Sequence, residues 1–158
     1  MKKSLFALMA VIVIASCKKD DPTPVVVNTT YSKMFIKSID ISTFPVKTAN
    51  GGDWDVLSAP DIYLKISDST GKNFFTSSVT QDATGKITVN PNYTITDFTY
   101  QYTFELWDKD SPDDDDAMGG YYFKANDYVS TNNYPASIVL SSPGKSDILL
   151  TLNVTYSN

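Results

Sequence analysis

Near the end of the chain Ile148, Leu150, Leu152, Val154 and Tyr156 alternate with Leu149, Thr151, Asn153 and Thr155. A period of two puts the first set on one face of a β-strand and the second on the other. The pattern predicts a strand with one buried face and one half-wet face. From about Tyr31 onward no helical period of any length appears, while β-branched and aromatic residues alternate with polar ones. This predicts further strands at 33–41, 61–67, 73–80, 94–98, 102–107, 120–124 and 137–140. Turn-forming clusters separate them: Asn50-Gly51-Gly52, Ser69-Thr70-Gly71, Thr84-Gly85, Asn90-Pro91-Asn92 and Ser142-Pro143-Gly144. Eight short strands with no internal repeat predict an all-β chain, an eight-stranded antiparallel β-sandwich. A length of 158 residues is enough to bury one core but hardly two.

The first residues break this pattern. Met1-Lys2-Lys3-Ser4 is a short positive start, and residues 5–15 form an apolar run too short to span a bilayer but suited to a signal-peptide core. The run ends in Ile14-Ala15-Ser16-Cys17, with the only cysteine of the chain. It resembles the bacterial lipobox, in which small residues precede a cysteine that is diacylated on sulfur and becomes the first residue of the mature protein. A lone exposed thiol in an oxidising compartment would be a liability, and lipidation accounts for it. Two or three acyl chains suffice for stable anchoring. The resemblance implies a signal peptide at 1–16, membrane attachment through Cys17, and a proline-punctuated tether over 17–31 that carries a domain at 32–158. Lys18-Lys19-Asp20-Asp21, directly after the cysteine, is similar to the export signal of Bacteroidota surface lipoproteins, which implies an outer-membrane position, with exposure on the cell surface or toward the periplasm both open.

Charge narrows the chemistry. The chain has 17 Asp against the single Glu105, 13 Lys, and neither Arg nor His. Lacking His and Arg, it has no imidazole for Ser-His-Asp catalysis or zinc hydrolysis, and no guanidinium for reading bases or clamping phosphates. Its pI near 4.5 and lack of a basic patch exclude nucleic acid as a partner. Removing residues 1–16 takes away Lys2 and Lys3 and moves the formal charge from −5 to −7. A cation partner of such a chain is a hard one that prefers carboxylate oxygens.

Most of the distinctive acid lies in two loops at predicted strand ends. The first contains Asp53, Asp55 and Asp61 and runs into Ile62-Tyr63-Leu64-Lys65; the second contains Asp108, Asp110 and the run Asp113 to Asp116, followed by Ala117-Met118-Gly119. Here the chain resembles the C2 domain, the calcium-binding β-sandwich of protein kinase C and synaptotagmin type. In that family the first loop carries two Asp six residues apart, the second opening a strand as Asp-Pro-Tyr-Val-Lys. Asp55 and Asp61 have this separation, with Ile in place of Pro. The family's later loop reads Asp-x-Asp, a third Asp six further on, then two residues and Gly; Asp108, Asp110, Asp116 and Gly119 reproduce it. The resemblance spans about 33–156 and implies Asp55, Asp61, Asp108, Asp110 and Asp116 as calcium ligands. The first loop lacks the family's Gly before its second Asp, and the polybasic strand used for phosphoinositides is not evident.

Physical chemistry supports the same assignment. Calcium takes six to eight oxygens, and Asp offers two on a short stem with little rotamer entropy to lose. Asp108 and Asp110, two apart at a strand end, lean to one side and can share an ion. Taken alone, Asp113 to Asp116 reads as a solvated acidic turn, and Asp55 and Asp61 as turn chemistry beside Pro60. Trp54 and Trp107 read as core or rim aromatics before ligand platforms. The expected function is a lipid-anchored, non-enzymatic, calcium-binding module of the cell envelope, its ion structural or bridging to an anionic lipid, glycan or protein. The alternative is a cation-independent carbohydrate- or protein-binding surface lipoprotein. With no His, one Glu and no nucleophile motif, an enzyme is not expected.

Overall fold

The computed structural model describes residues 30–55, 57–129, 133–141 and 147–158. The expected signal peptide, Cys17, nearly all of the 17–31 tether and the Ser142-Pro143-Gly144 turn lie outside the described residues. Among the described residues nine strands follow in chain order: β1 (Lys33–Thr43), β2 (Ile62–Asp68), β3 (Asn73–Thr76), β4 (Ile87–Val89), β5 (Tyr93–Ile95), β6 (Tyr102–Asp108), β7 (Asp116–Phe123), β8 (Ser137–Leu140) and β9 (Leu149–Ser157). The one helical element among them is a single 3-10 turn, Ala125–Asp127.

Two antiparallel sheets pack face to face. One has the order β3-β2-β6-β7; in the other β9 lies between β1 and β8, and β4 and β5 both pair with the far side of β1. β5 covers Met34 to Ile36 and β4 covers Ile39 to Ile41, so the two are halves of one edge position broken at Asn90-Pro91-Asn92. Nine segments therefore fill the eight positions expected. Asn90-Pro91-Asn92 was expected to separate strands, and it instead interrupts one; Asn92 takes a positive φ of 49° there. The short β4 carries two buried residues, Ile87 and Val89, too few for alternation to register.

Other differences are local. The stretch expected at 73–80 ends as a strand at Thr76, because Ser77 Oγ takes the Leu64 N–H at 3.0 Å. Ser77 N–H still donates to the Leu64 carbonyl at 2.9 Å, and the next bridge is Ile62–Thr80. The stretch expected at 94–98 ends at Ile95, and Asp97 folds the chain by accepting the Thr99 N–H at 2.9 Å. β7 starts four residues before Gly120, through a bulge at Met118 that sets Leu106 opposite Gly119 and Trp107 opposite Ala117. The bulge breaks the period of two, which hid this part of the strand.

Alternation builds the core. Met34, Ile36, Ile39 and Ile41 from β1 and Leu150, Leu152 and Val154 from β9 face Ile62, Leu64 and Ile66 of β2 and Phe104 and Leu106 of β6, all buried. β1 runs from a base, where Lys33 lies opposite Ser157, to an upper end where Thr43 leads into the 44–61 loop. β2 begins at that upper end with Ile62 opposite Asp108 and finishes at the base with Asp68 opposite Tyr102. The two aspartate-bearing loops thus share the upper end, while the base gathers Phe74, Tyr93, Tyr100 and Tyr102 into one aromatic cluster.

Candidate metal centre

β6 places the first member of the site. Its inward face reads Tyr102, Phe104, Leu106 and then Asp108, so a carboxylate occupies the position where the alternation calls for an apolar side chain. Asp108 is fully buried. Its Oδ1 accepts the Asp61 N–H at 2.7 Å, which ties the start of β2 to the end of β6, and Lys109 N donates back to the Asp61 carbonyl at 2.8 Å. Its Oδ2 has no partner among the described residues.

Asp55, from the loop after β1, and Asp110, two residues beyond Asp108, complete a cluster. One carboxylate oxygen from each of Asp55, Asp108 and Asp110 lies within 4.8 Å of the other two. The Oδ2 of Asp55 is also buried without a hydrogen bond. Burial pushes the Asp108 carboxyl up to about 6; the bond from Asp61 N–H opposes this, and the charges of Asp55, Asp110 and Asp61 add to it. Burial likewise raises Asp110, reinforced by the charges of Asp116, Asp55, Asp115 and Asp113. The local field is negative, desolvated and uncompensated, which is the condition a bound cation relieves.

Of the five expected ligand positions, the fold brings three together. Asp61 and Asp116 border the cluster. The Asp61 carboxylate takes the Asp82 N–H at 2.8 Å, and this contact joins the 81–86 loop to the rim. Asp116 opens β7 directly opposite Asp108 and is exposed. Asp113 and Asp114 are exposed, as a solvated acidic turn requires. Asp115 differs from its neighbours: it pairs with Lys109 Nζ at 2.6 Å and accepts the Tyr63 hydroxyl at 2.6 Å. Asp53, outside the cluster, pairs with Lys47. Trp54 packs against the core and donates from Nε1 to the Pro45 carbonyl at 2.8 Å, while the Trp107 ring lies under Lys65 Nζ at 4.1 Å. Neither tryptophan presents an open platform.

Sequence reasoning missed two features of this end. The parity of Asp108 was a readable signal, since three inward-facing residues, Tyr102, Phe104 and Leu106, precede it at a spacing of two. The union of Tyr63, Lys109 and Asp115 had no such signal, because it joins β2 to a loop more than forty residues away.

No family model matches the chain, and no curated protein matches it. Solved structures do. The chain is similar to a C2 domain of plant Extended Synaptotagmin 1, with a TM-score of 0.57 and 16% identity over 80% of this chain and 95% of that one. It is similar to a further structure described as a C2 domain, with a TM-score of 0.54 and 14% identity over 80% and 98% of the two chains. Human GIVD cytosolic phospholipase A2 matches with a TM-score of 0.55 and 14% identity over 82% of this chain. The chain spans only 17% of that enzyme. At these identities the likeness concerns the fold: the protein is an antiparallel β-sandwich of the C2 kind, carrying an aspartate cluster able to hold a metal ion.

Proposed function

We propose that this domain is a non-enzymatic binding module that holds calcium between the loops at its upper end. Asp55, Asp108 and Asp110 hold the ion, with Asp61 and Asp116 at its rim. One observation carries the reading: Asp108 is buried at a core position with one carboxylate oxygen left unpaired. An unpaired buried acceptor costs about 1–3 kcal/mol and more when charged, so a purely structural aspartate would be expected to find a donor for it. Clustered Asp oxygens form the donor set of a hard cation, and the chain has no His, and no Cys in the described region, to favour a softer one. When bound, calcium supplies positive charge that offsets the repulsion within the cluster and leaves coordination positions for an anionic partner.

We further propose that Cys17 is lipidated and anchors the chain to the outer membrane. Among the described residues, β1 enters the sandwich at its base, the end opposite the ion-binding loops. The anchor already supplies membrane attachment, so the ion serves to stiffen the loops or to bridge to an anionic lipid, glycan or protein.

The test is a melting curve of the full chain in millimolar calcium and in chelator. Calcium at a hundredfold excess over its dissociation constant adds about 2.7 kcal/mol to the folded state. The expected result is a melting temperature several degrees higher in calcium, with the difference abolished by Asp108→Asn combined with Asp110→Asn. Coincident curves for the unmodified chain would overturn the reading.

A further inference from the structure

Asp115 stands apart from the other acids of its loop because its charge is already met. Lys109 Nζ lies 2.6 Å from Oδ1, and the Tyr63 hydroxyl donates to Oδ2 at 2.6 Å. These bonds, led by that from Lys109, hold the Asp115 carboxyl below the usual carboxylate range. The two donors come from two places. Tyr63 is a buried residue on β2, and Lys109 is the residue between the cluster members Asp108 and Asp110.

We propose that Asp115, Tyr63 and Lys109 form a clasp that positions Asp110 for the cation without touching it, and so sets the affinity of the site. The proposal rests on the calcium reading above. The 109–115 segment leaves β6 and must return to β7, and exposed acids fill much of its turn. Repulsion among Asp110, Asp113 and Asp116 drives it open. The clasp opposes this by joining the two ends of the segment through Lys109 and Asp115 and by fastening Asp115 to β2 through Tyr63, which leaves the Asp110 carboxylate directed toward Asp55 and Asp108. Lys109 thereby acts in two opposed ways. Its positive charge repels an incoming cation, while its bond to Asp115 preserves the geometry that the cation needs. Its side chain is roughly half exposed, so at physiological salt the repulsion is screened and the geometric effect governs.

The test is calcium titration calorimetry on the full chain in detergent at about 0.15 M salt, comparing the unmodified protein with Tyr63→Phe and Lys109→Gln. Tyr63→Phe changes no charge and keeps the buried ring. It is expected to raise the calcium Kd about 3- to 10-fold, the loss of one hydrogen bond to a charged acceptor, with the melting temperature in chelator unchanged. Lys109→Gln is expected to weaken binding as well, although it removes a positive charge from the neighbourhood of the site. A Tyr63→Phe affinity equal to that of the unmodified chain overturns the clasp, as does tighter binding by Lys109→Gln, the outcome if Asp115 were a ligand held back by its lysine. A loss of chelator stability with unchanged affinity overturns it too, since it assigns the contact to the fold alone. Absence of calcium binding by the unmodified chain defeats the parent reading, and is told apart from failure of the clasp because no variant is then involved.

Discussion

Asp68 and Asp108 are the same residue in equivalent settings at opposite ends of one sheet. Each continues the inward apolar face of its strand, Ile62, Leu64 and Ile66 before Asp68, and Tyr102, Phe104 and Leu106 before Asp108. Relative exposure is 7% for one and 0% for the other. Their partners differ. At the base Asp68 accepts from Thr70 N–H and hydroxyl at 2.8 and 2.6 Å, from Lys72 N–H at 3.0 Å and from the Tyr100 hydroxyl at 2.5 Å. The Thr70 and Tyr100 hydroxyls lead in pulling its carboxyl far below the usual range. At the upper end Asp108 has one donor, a lone oxygen and three acidic neighbours, and its carboxyl rises. A buried aspartate is therefore not itself a sign of a site. The number of donors around it separates a structural aspartate, which organises the Ser69-Thr70-Gly71 turn, from one that is short of positive charge.

This contrast can be broken by mutation, and the largest effect belongs to the base. Asp68→Ala strips the acceptor from two backbone donors and two hydroxyls, and should lower the melting temperature sharply, equally in calcium and in chelator. Asp108→Asn should do the opposite in chelator, raising stability by about 1–2 kcal/mol at neutral pH through removal of an uncompensated buried charge, while abolishing the response to calcium. Destabilisation by Asp108→Asn in chelator would show that the two aspartates are equivalent after all. Acid titration of stability in chelator sharpens the point. The Asp68 carboxylate is favoured by the fold, so its contribution is present above its ordinary value of 3.8 and is lost as the pH falls. Asp108 holds its proton more tightly folded than unfolded, so stability falls as the pH rises from 3.8 through about 6. Denaturant midpoints between these values should flatten in Asp108→Asn. The smallest effect is expected for Tyr100→Phe, which removes one of four donors to Asp68 at an exposed ring and should shift the melting curve only slightly.

Much of this was legible in the chain. Alternation located eight strands, since each sheet has one buried face and a period of two reports it directly. It missed β4 and the first half of β7, where three residues or a bulge at Met118 leave no period to read. The loop aspartates were found by spacing, and spacing ranks Asp55, Asp61, Asp108, Asp110 and Asp116 alike. Their division into a clustered trio and two rim residues depends on backbone bonds such as Asp82 N–H to Asp61, which no spacing encodes. Asp68 was passed over for the same reason. Its parity matches that of Asp108, and only the donors folded around it distinguish the two.

The broken strand β4–β5 bears on how this protein stays apart from its own kind. A sandwich of two open sheets has four edges, each a row of unpaired backbone groups able to recruit a strand from another molecule. Here one edge is cut by Asn90-Pro91-Asn92 into two pieces of three residues, and β3 and β8 are four residues each. The remaining edge, β7, is eight residues long, and it is the one bent by a bulge, opened by Asp116 and softened by Gly119 and Gly120. Among the described residues no edge offers a long, flat, uninterrupted template, so the domain would resist joining its neighbours sheet to sheet at high concentration.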